Sequence, residues 1–335
     1  MPVRSSLLTV NRLLERHMFV VIFSGMLLGW CYPGLEALKA TVPFLFGYMT
    51  FVTALNTSWR GILGVVSLPG PVLRIIALLH VAMPLFSLVL ARFTLGISNP
   101  FTVGLVLAVI IPIGVTSVIW TGLAKGEGPL ALTAVTIDSL FSPFLVPASV
   151  WLFLGHTVRF DSTGLMLGLL WMIVLPTLAG VTVHDLSRGS AGPRWAPVNG
   201  PLSKLCLILV VAVNVAAAHG ILGGTEYAIL PVLGLLFLQA LAGYLLGYAS
   251  GKALGYTAER VSAFTFCVGM RNISAGIVIA LRYFSPQATV PVVLAMLFQQ
   301  PLASLFHRRL IRHNPAASKM GGNQSQERKT CNSSN

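Results

Sequence analysis

Long apolar runs separated by short polar segments dominate the pattern along this chain. Runs such as 202–223 and 226–251 match the roughly 20 residues that a helix needs to cross about 30 Å of hydrocarbon. The runs are continuous rather than alternating, which disfavours a membrane β-barrel. The pattern predicts an all-α polytopic membrane protein with ten transmembrane helices, at 17–32, 37–57, 71–94, 99–124, 128–154, 162–184, 198–219, 227–251, 259–283 and 287–307.

Composition supports a membrane protein. Of 335 residues, 55% are hydrophobic and 9% are charged, and the mean hydropathy is +0.82. A soluble protein carries about a quarter charged residues, so the soluble globular classes are excluded. The cysteines have no metal or disulfide motif spacing, so we expect no metal site and no cofactor; they are Cys31, Cys206, Cys267 and Cys331.

The excess of basic residues predicts the topology. The net charge is +13, and no basic patch with interleaved aromatics indicates a nucleic-acid partner. With the N-terminus inside, ten spans place 17 of the 22 Lys and Arg residues on one side and four on the other. Cytoplasmic loops carry such an excess. We therefore expect an integral protein of the plasma (inner) membrane with both termini cytoplasmic, and a basic tail that lies against anionic lipid.

The ten spans divide into two halves around the linker 155–161. A half with five spans inserts upside down relative to the other, which is typical of inverted-repeat secondary transporters. We expect a cytoplasmic segment at 1–16, a first repeat at 17–155, a second repeat at 161–310 and a disordered cytoplasmic tail at 315–335. Weak echoes support the division, because 113–117 in span four and 268–272 in span nine occupy similar positions in their halves.

Spans four and nine are predicted to be discontinuous. Each contains small, polar or helix-breaking residues near its middle, and non-helical backbone at membrane depth survives only where it lines a cavity or is buried in protein. Paired breaks indicate a substrate site at the midplane, whereas the alternative is a proline kink with small residues for close helix packing. The candidate break residues are Pro112, Gly114, Gly269 and Gly276, and the candidate substrate-binding residues are Thr116, Ser117, Arg271, Asn272 and Ser274.

Arg271 is the most informative residue, because a charge inside a membrane span is costly and needs a partner. Asp138, in span five, is the one acid deep inside a span, so an Asp138–Arg271 pair or a shared polar site is the simplest compensation. Arg271 then binds an anion or replaces a metal cation, or the pair only locks two spans together. A pair broken by protonation of Asp138 would couple protons to transport.

Other features add little chemistry. The sequence contains no HExxH, GxSxG or Walker P-loop pattern, so neither an enzyme nor an ATP-driven pump is expected. His80 and His219 relay protons or are simply satisfied in place. Further intramembrane polar residues are expected to join helices by hydrogen bonds; they are Asn56, Asn214, Gln239, Gln299 and Gln300.

Two stretches resemble the bile acid:sodium symporter family, within the bile/arsenite/riboflavin transporter superfamily. TGLAKGEGPLALTAVT at 121–136, followed by Ser142-Pro143 and Pro147, resembles the family's passage from span four to span five. VGMRN at 268–272 resembles the family's span-nine motif. The resemblance implies a panel of helices 1, 2, 6 and 7, a core of helices 3–5 and 8–10, and unwound helices four and nine that cross at the centre.

The resemblance also implies uptake of an organic anion, with Asn272 at the substrate and Ser117 at a sodium site. The family's other sodium ligands are replaced here: its Glu is Cys267, its Gln in span nine is Arg271 and its Asn after the Ser is Val118. Its two span-five hydroxyls fall on Ala131 and Val135, and its span-three Gln falls near Leu79–His80. Sodium prefers oxygen ligands, so we expect both sodium sites to be lost.

The sequence therefore predicts a secondary active or facilitative transporter of a small organic anion that works by alternating access. It is expected to be sodium-independent, with Arg271 replacing the sodium charge, and Asp138, Arg271 and Cys267 are the candidate coupling residues. Its partners are the substrate, the lipid bilayer and, in a proton-coupled cycle, protons. Two alternatives remain: a sodium-coupled symporter with a relocated site, and a non-transporting membrane sensor or scaffold.

Overall fold

A computed structural model describes residues 18–60, 69–155, 160–222 and 226–312, together with Asn11, Leu13, Leu14 and Val158. Most of the predicted N-terminal segment 1–16 and the whole predicted tail 315–335 lie outside the described residues. Within the described ranges, turns join helices, and the only β-structure is one isolated bridge.

Short connections join successive helices in the described ranges. Two of them contain a π-helical turn, at Leu78–Ala82 and Leu170–Val174, and the second helix begins as a 3-10 helix at Pro33–Thr41. The helices are α1 Met18–Cys31, α2 Pro33–Ala54, α3 Pro69–Thr94, α4 Pro100–Ile110, α5 Thr116–Leu123, α6 Gly128–Leu154, α7 Ser162–Leu186, α8 Ala191–Leu222, α9 Glu226–Ala253, α10 Ala258–Gly269, α11 Ile273–Tyr283, α12 Pro286–Leu294 and α13 Met296–Arg312.

Helix length and apolarity confirm an all-α polytopic membrane protein. In the described part of the chain, seven helical stretches are long and apolar enough to cross a membrane. They correspond to α2, α3, α6, α7, α8, α9 and the combined α12 and α13. Two shorter apolar helices, α4 and α11, do not reach that length, and each belongs to a predicted span that is broken near its middle.

Side-chain caps explain where several helices begin. A cap side chain accepts a hydrogen bond from a first-turn N–H that has no intrahelical partner. Asn99 caps α4 in this way and is followed by Pro100, whose missing N–H costs nothing at a helix start. Side-chain caps of this kind also begin four other helices, with the caps Asp161, Thr257, Asn272 and Ser285.

The helices pack as two groups. In one group, α1 and α2 pack against α8, and α2 packs against α7. In the other, α9 lies along α10, α4 packs against α3 and α12, and α6 contacts α5 and α10. The groups meet where α8 contacts α11 and α12 and where α7 contacts α6. One apolar cluster spans this junction and includes Val106, Val146, Leu169, Val210 and Ile277.

Glycines allow the closest helix approaches. A Cβ at Gly247 of α9 would lie 2.5 Å from the Phe264 carbonyl oxygen and 2.9 Å from the Thr265 Cα of α10. Gly25 and Gly29 of α1 face the backbone of α8 at similarly short range. Small residues let backbones approach in membranes, where packing replaces the hydrophobic effect as the driving force for association.

We predict that Gly247→Ala destabilises the protein, because the added methyl must displace α10 backbone rather than a flexible side chain. Overpacking of this kind costs about 1–3 kcal/mol. Gly234→Ala is the matched control, since the same substitution on α9 meets nothing within 4 Å. In detergent, we expect the melting temperature of Gly247→Ala to fall and that of Gly234→Ala to stay or rise. Equal melting temperatures would contradict close packing of α9 on α10.

Candidate functional site

Two broken helices meet through main-chain hydrogen bonds in the centre of the second group. The chain is extended between α4 and α5 and again between α10 and α11, and Ile113 forms an antiparallel bridge with Arg271. The Gly114 N–H donates to the Met270 carbonyl at 3.1 Å, and the Asn272 N–H donates to the Pro112 carbonyl at 2.7 Å. Each break therefore satisfies the backbone of the other, as membrane depth requires. We call this region the crossing.

Of the four predicted break residues, three lie in a break or at a helix end and one lies inside a helix. Pro112 and Gly114 lie in the first break, where Gly114 allows close approach, because a Cβ there would lie 2.7 Å from the Arg271 carbonyl oxygen. Gly269 ends α10 and faces the Tyr244 ring. The prediction for Gly276 was wrong: it lies inside α11, where its missing side chain makes room for Ile111.

The Arg271 side chain caps the C-terminal ends of both half-helices that precede the crossing. Its Nε donates to the Val109 carbonyl at 3.0 Å, and its Nη1 donates to the Val268 carbonyl at 2.7 Å. These carbonyls belong to the last turns of α4 and α10, which lack intrahelical partners and carry the negative end of the helix dipole. The guanidinium is 6% exposed, so a buried positive charge occupies the point where two negative dipole ends converge.

Two further features surround Arg271. Its backbone N–H donates to the Gln299 side-chain oxygen at 2.8 Å, whereas Nη2 has no hydrogen-bond partner among the described residues. Arg271 also lines a cavity of about 30 Å³ with Gln239 and Gln299, which is enough space for one water-sized ligand. The charge thus lies among α3, α4, α9, α10 and α13 of the second helix group.

Asp138 has partners other than the one expected from the sequence. Within the described chain its Oδ1 pairs with Nε2 of His80 at 2.7 Å and its Oδ2 accepts the Ile113 N–H at 2.6 Å, and the expected direct contact with Arg271 is not formed. The physical reason is local: the break leaves the Ile113 N–H without a helical acceptor, and α6 places a carboxylate directly beside it. Asp138 still attracts Arg271 at longer range.

His80 reaches the crossing through its pair with Asp138, a position that the sequence analysis did not emphasise. It is 6% exposed and lies on the π-helical turn Leu78–Ala82 of α3. Such turns are frequent at functional sites. The available signal was a second titratable residue deep in an apolar span, near the position where the resemblance places a ligand. A π-turn leaves no recognisable sequence pattern, so its facing could not be predicted.

The expected sodium positions form a mostly apolar cluster. Cys267 is fully buried and lies beside Ser117, which is also fully buried. The same cluster contains Ala131 and Val135 of α6, with Val118 packed against it. This arrangement offers a cation few oxygen ligands where the resemblance implies several.

The N-terminal ends of α5 and α11 lie on either side of the bridge. Thr116 is the first residue of α5, and Asn272 caps α11, where its side-chain oxygen accepts the Ala275 N–H at 3.3 Å. Ser274 is the second residue of α11 and is partly buried. Helix N-termini carry positive dipole ends and free N–H groups that suit anions. Thr116, Asn272 and Ser274 are therefore grouped at N-termini, whereas the Arg271 guanidinium lies at C-termini.

Within the 121–136 stretch, residues 124–127 form the turn between α5 and α6, and hydrogen bonds join this turn to α10. Lys125 has a positive φ of 53°, and the Glu127 N–H donates to the Glu259 carbonyl at 2.9 Å. The Glu127 carboxylate accepts two hydrogen bonds from Arg260, at 2.7 and 3.2 Å. The turn thereby ties the first broken span to the second at one end of the crossing.

Several intramembrane amides join helices. Gln239 accepts from the Ser87 hydroxyl at 2.8 Å and donates to the Leu105 carbonyl at 3.2 Å, and the Gln300 side chain accepts from Trp120 at 2.9 Å. Asn214 differs, because it is fully buried and neither of its amide atoms has a partner among the described residues.

Apolar helices that cross at two mutually bonded breaks, with a buried charge and opposed dipole ends, define a polytopic membrane protein of the secondary-transporter class. The chain belongs to the sodium bile acid symporter family, whose model matches residues 43–225. Members of this family are transporters rather than enzymes. The protein is therefore an integral membrane transporter.

Three relatives illustrate the range of similarity. Uncharacterized protein YbaS of Bacillus subtilis is 36% identical over 289 residues, which cover 86% of this chain and 93% of YbaS. The uncharacterized sodium-dependent transporter YocS of the same organism is 27% identical, over 82% of this chain and 83% of YocS. The probable sodium/metabolite cotransporter BASS1, chloroplastic, of Arabidopsis thaliana is 23% identical, over 72% of this chain and 59% of BASS1.

We predict that Gln299→Leu destabilises the crossing, because it leaves the buried Arg271 N–H without an acceptor. An unsatisfied buried donor costs about 1–3 kcal/mol. Gln287→Leu is the matched control, since Gln287 is exposed at the start of the same predicted span. Thermal unfolding in detergent should show a lower melting temperature for Gln299→Leu only. A shift of the same size in both variants would argue that this hydrogen bond does not stabilise the crossing.

Proposed function

We propose that this protein is a secondary active or facilitative transporter that moves a small organic anion by alternating access and does not require sodium. The observation that carries the proposal is the Arg271 guanidinium, which donates hydrogen bonds to Val109 and Val268 at the C-terminal ends of α4 and α10. In transporters with broken helices, such carbonyl ends coordinate the coupling cation. A fixed cation at that point supplies the positive charge and repels a second one.

The surroundings of Arg271 support the loss of the sodium sites. Sodium binding needs several oxygen ligands, whereas Cys267, Ala131 and Val135 contribute a thiol and two apolar side chains to one buried cluster. The names of YocS and BASS1 refer to sodium, so in this proposal the chain differs from those relatives in its coupling ion while keeping the transport activity.

The chemistry of the crossing favours an anionic substrate. The N-terminal ends of α5 and α11 offer positive dipole ends, with Thr116, Asn272 and Ser274 beside them as hydrogen-bonding groups. Arg271 adds a positive charge that acts over a distance through a medium of low dielectric constant. In this arrangement the guanidinium contributes one of the charges that determine the potential of the site, and the half-helix N-termini contact the substrate.

The same proposal includes ten spans in two inverted repeats, 17–155 and 161–310, with both termini cytoplasmic in the plasma membrane. An antiparallel bridge has local two-fold symmetry, as two inverted halves that meet at equivalent breaks require. The positive-inside rule adds support, since this topology places 17 of 22 Lys and Arg residues on the cytoplasmic side.

Purified protein in proteoliposomes tests the function. Radiolabelled lactate, gluconate, succinate and taurocholate represent four classes of organic anion, and uptake of each is measured in sodium-free and sodium-containing buffer. We expect uptake of at least one anion, at the same rate with and without sodium. Arg271→Gln should reduce that uptake about tenfold or more, since charge-assisted hydrogen bonds are worth about 1.5–3 kcal/mol each.

Arg282→Gln is the matched control, because Arg282 is exposed in the last turn of α11, away from the crossing. Its uptake should equal that of the wild type. Uptake that rises with external sodium and survives Arg271→Gln would support the alternative of a sodium symporter with a relocated site. Absence of uptake for every anion, in a protein that is folded by its thermal transition, would favour the sensor or scaffold.

A further inference from the structure

The imidazole of His80 has a buried ring nitrogen whose lack of a hydrogen-bond partner is not explained by the proposed role of Arg271. The imidazole of His80 pairs with Asp138 through Nε2, while its Nδ1 is buried and has no hydrogen-bond partner among the described residues. Buried polar atoms are almost always bonded, so an exception in a native protein needs an explanation.

The contacts of Asp138 determine what the free nitrogen can do. Both carboxylate oxygens act as acceptors when Asp138 is ionised, one toward His80 and the other toward the Ile113 N–H. Nε2 of a neutral His80 then carries the ring hydrogen and donates it, and Nδ1 carries a lone pair. That lone pair is a vacant proton-binding position inside the membrane, held against a carboxylate that stabilises an imidazolium.

The charges around the pair make such a proton consequential. In the described chain, the other ionisable groups near it in the interior are the Cys267 thiol on α10, the Arg271 guanidinium at the bridge and the Tyr244 hydroxyl on α9. The helices α4 and α5 carry none. The remaining ionisable side chains that the structure describes on α3, α7, α9 and α10 lie within two turns of a helix end: Arg74, Arg92, His184, Asp185, Tyr248, Lys252, Glu259 and Arg260.

We propose that the His80–Asp138 pair is the proton-binding site of this transporter, and that one proton bound there is carried together with the anion. Without the proton, the charges of Asp138 and Arg271 offset each other, and the crossing is neutral. With the proton on His80, the crossing has a net charge of plus one, which an anion at the N-terminal ends of α5 and α11 neutralises. Binding of either ion then favours binding of the other, because linkage is reciprocal.

The step balances without any further reactant. A hydronium ion on one side of the membrane gives its proton to Nδ1 of His80 and leaves as water. The imidazolium keeps its hydrogen bond from Nε2 to Asp138. On the other side, Nδ1 returns the proton to water. Because Asp138 also accepts the Ile113 N–H, the change in charge acts directly on the bonded break that joins the two helices.

Uptake driven by a pH gradient tests this proposal. The transport of an anion together with the proton rests on the proposed function, whereas proton binding to the His80–Asp138 pair does not. Sodium-free proteoliposomes that contain a pH-sensitive dye receive whichever of the four anions gives uptake, under an imposed pH gradient. Counterflow of the same anion at equal pH provides the reference. We expect each anion that enters to bring a proton with it, and accumulation in the wild type to follow the gradient.

His80→Gln keeps a hydrogen-bond donor toward Asp138 but has no basic nitrogen that can bind a proton. Its ratio of pH-driven accumulation to counterflow should fall about tenfold, within the usual range of coupling between two sites. His219→Gln is the matched control, since His219 lies on α8 against Trp30, and its ratio should equal that of the wild type. A wild-type ratio in His80→Gln would overturn the proposal.

Histidine NMR provides a second measurement that needs no transported anion. In ¹⁵N-histidine-labelled protein in nanodiscs, the His80 ring, identified by the loss of its signal in His80→Gln, should change protonation over the pH range in which the gradient drives uptake, and its titration should shift in Asp138→Asn. If the His80 ring keeps one protonation state over this range, the pair only caps the break, and the proposal is wrong. If the ring titrates while no anion enters, proton binding stands and the transport assignment fails.

Discussion

The architecture depends on a few main-chain hydrogen bonds in the middle of the second helix group. At this depth no water replaces a missing partner, so two interrupted helices are stable only because the breaks bond to each other. The Gly114 and Asn272 N–H groups reach Met270 and Pro112, and the Ile113 N–H reaches Asp138. Two further residues support these bonds. Gly114 allows the close approach of the Arg271 carbonyl, and the Gln299 side chain accepts the Arg271 backbone N–H.

Electrostatics at the crossing follows from the same geometry. Interrupting two helices exposes four dipole ends. The two C-terminal ends favour a positive charge, and the two N-terminal ends favour a negative charge. The C-terminal ends of α4 and α10 are occupied by a guanidinium that belongs to the chain itself. In the proposed function, the N-terminal ends of α5 and α11 bind the negatively charged substrate. In that proposal, the C-terminal ends of α4 and α10 hold the fixed charge of Arg271, whereas the N-terminal ends of α5 and α11 bind and release an anion. A transporter that also binds a coupling cation would exchange ions at both pairs of helix ends.

The sequence predicted the helical class and the central importance of span nine, because apolar length and a buried arginine leave strong signals. Pro112 and Gly114, which it predicted as break residues, each have a backbone property that a regular helix cannot use, and both lie between α4 and α5. For Asp138 it left open a pair with Arg271 or a shared polar site, because the choice depends on the facing of two helices. It failed for Gly276, because a glycine that breaks a helix and one that permits close packing look alike in a sequence. His80 was underestimated because its inward position results from a π-turn.

That π-turn at Leu78–Ala82 has a consequence for how this span is compared among relatives. A π-turn accommodates one extra residue in an otherwise regular helix. Because each residue of an α-helix turns by about 100°, the helical registers before and after the π-turn differ by about that angle. Deletion of a single residue there would shift the helical register on one side of the turn by about 100°, which changes the direction of the side chains on that side. A change in length, rather than a substitution, can therefore add or remove a titratable group at the centre, and an alignment without gaps would not detect it.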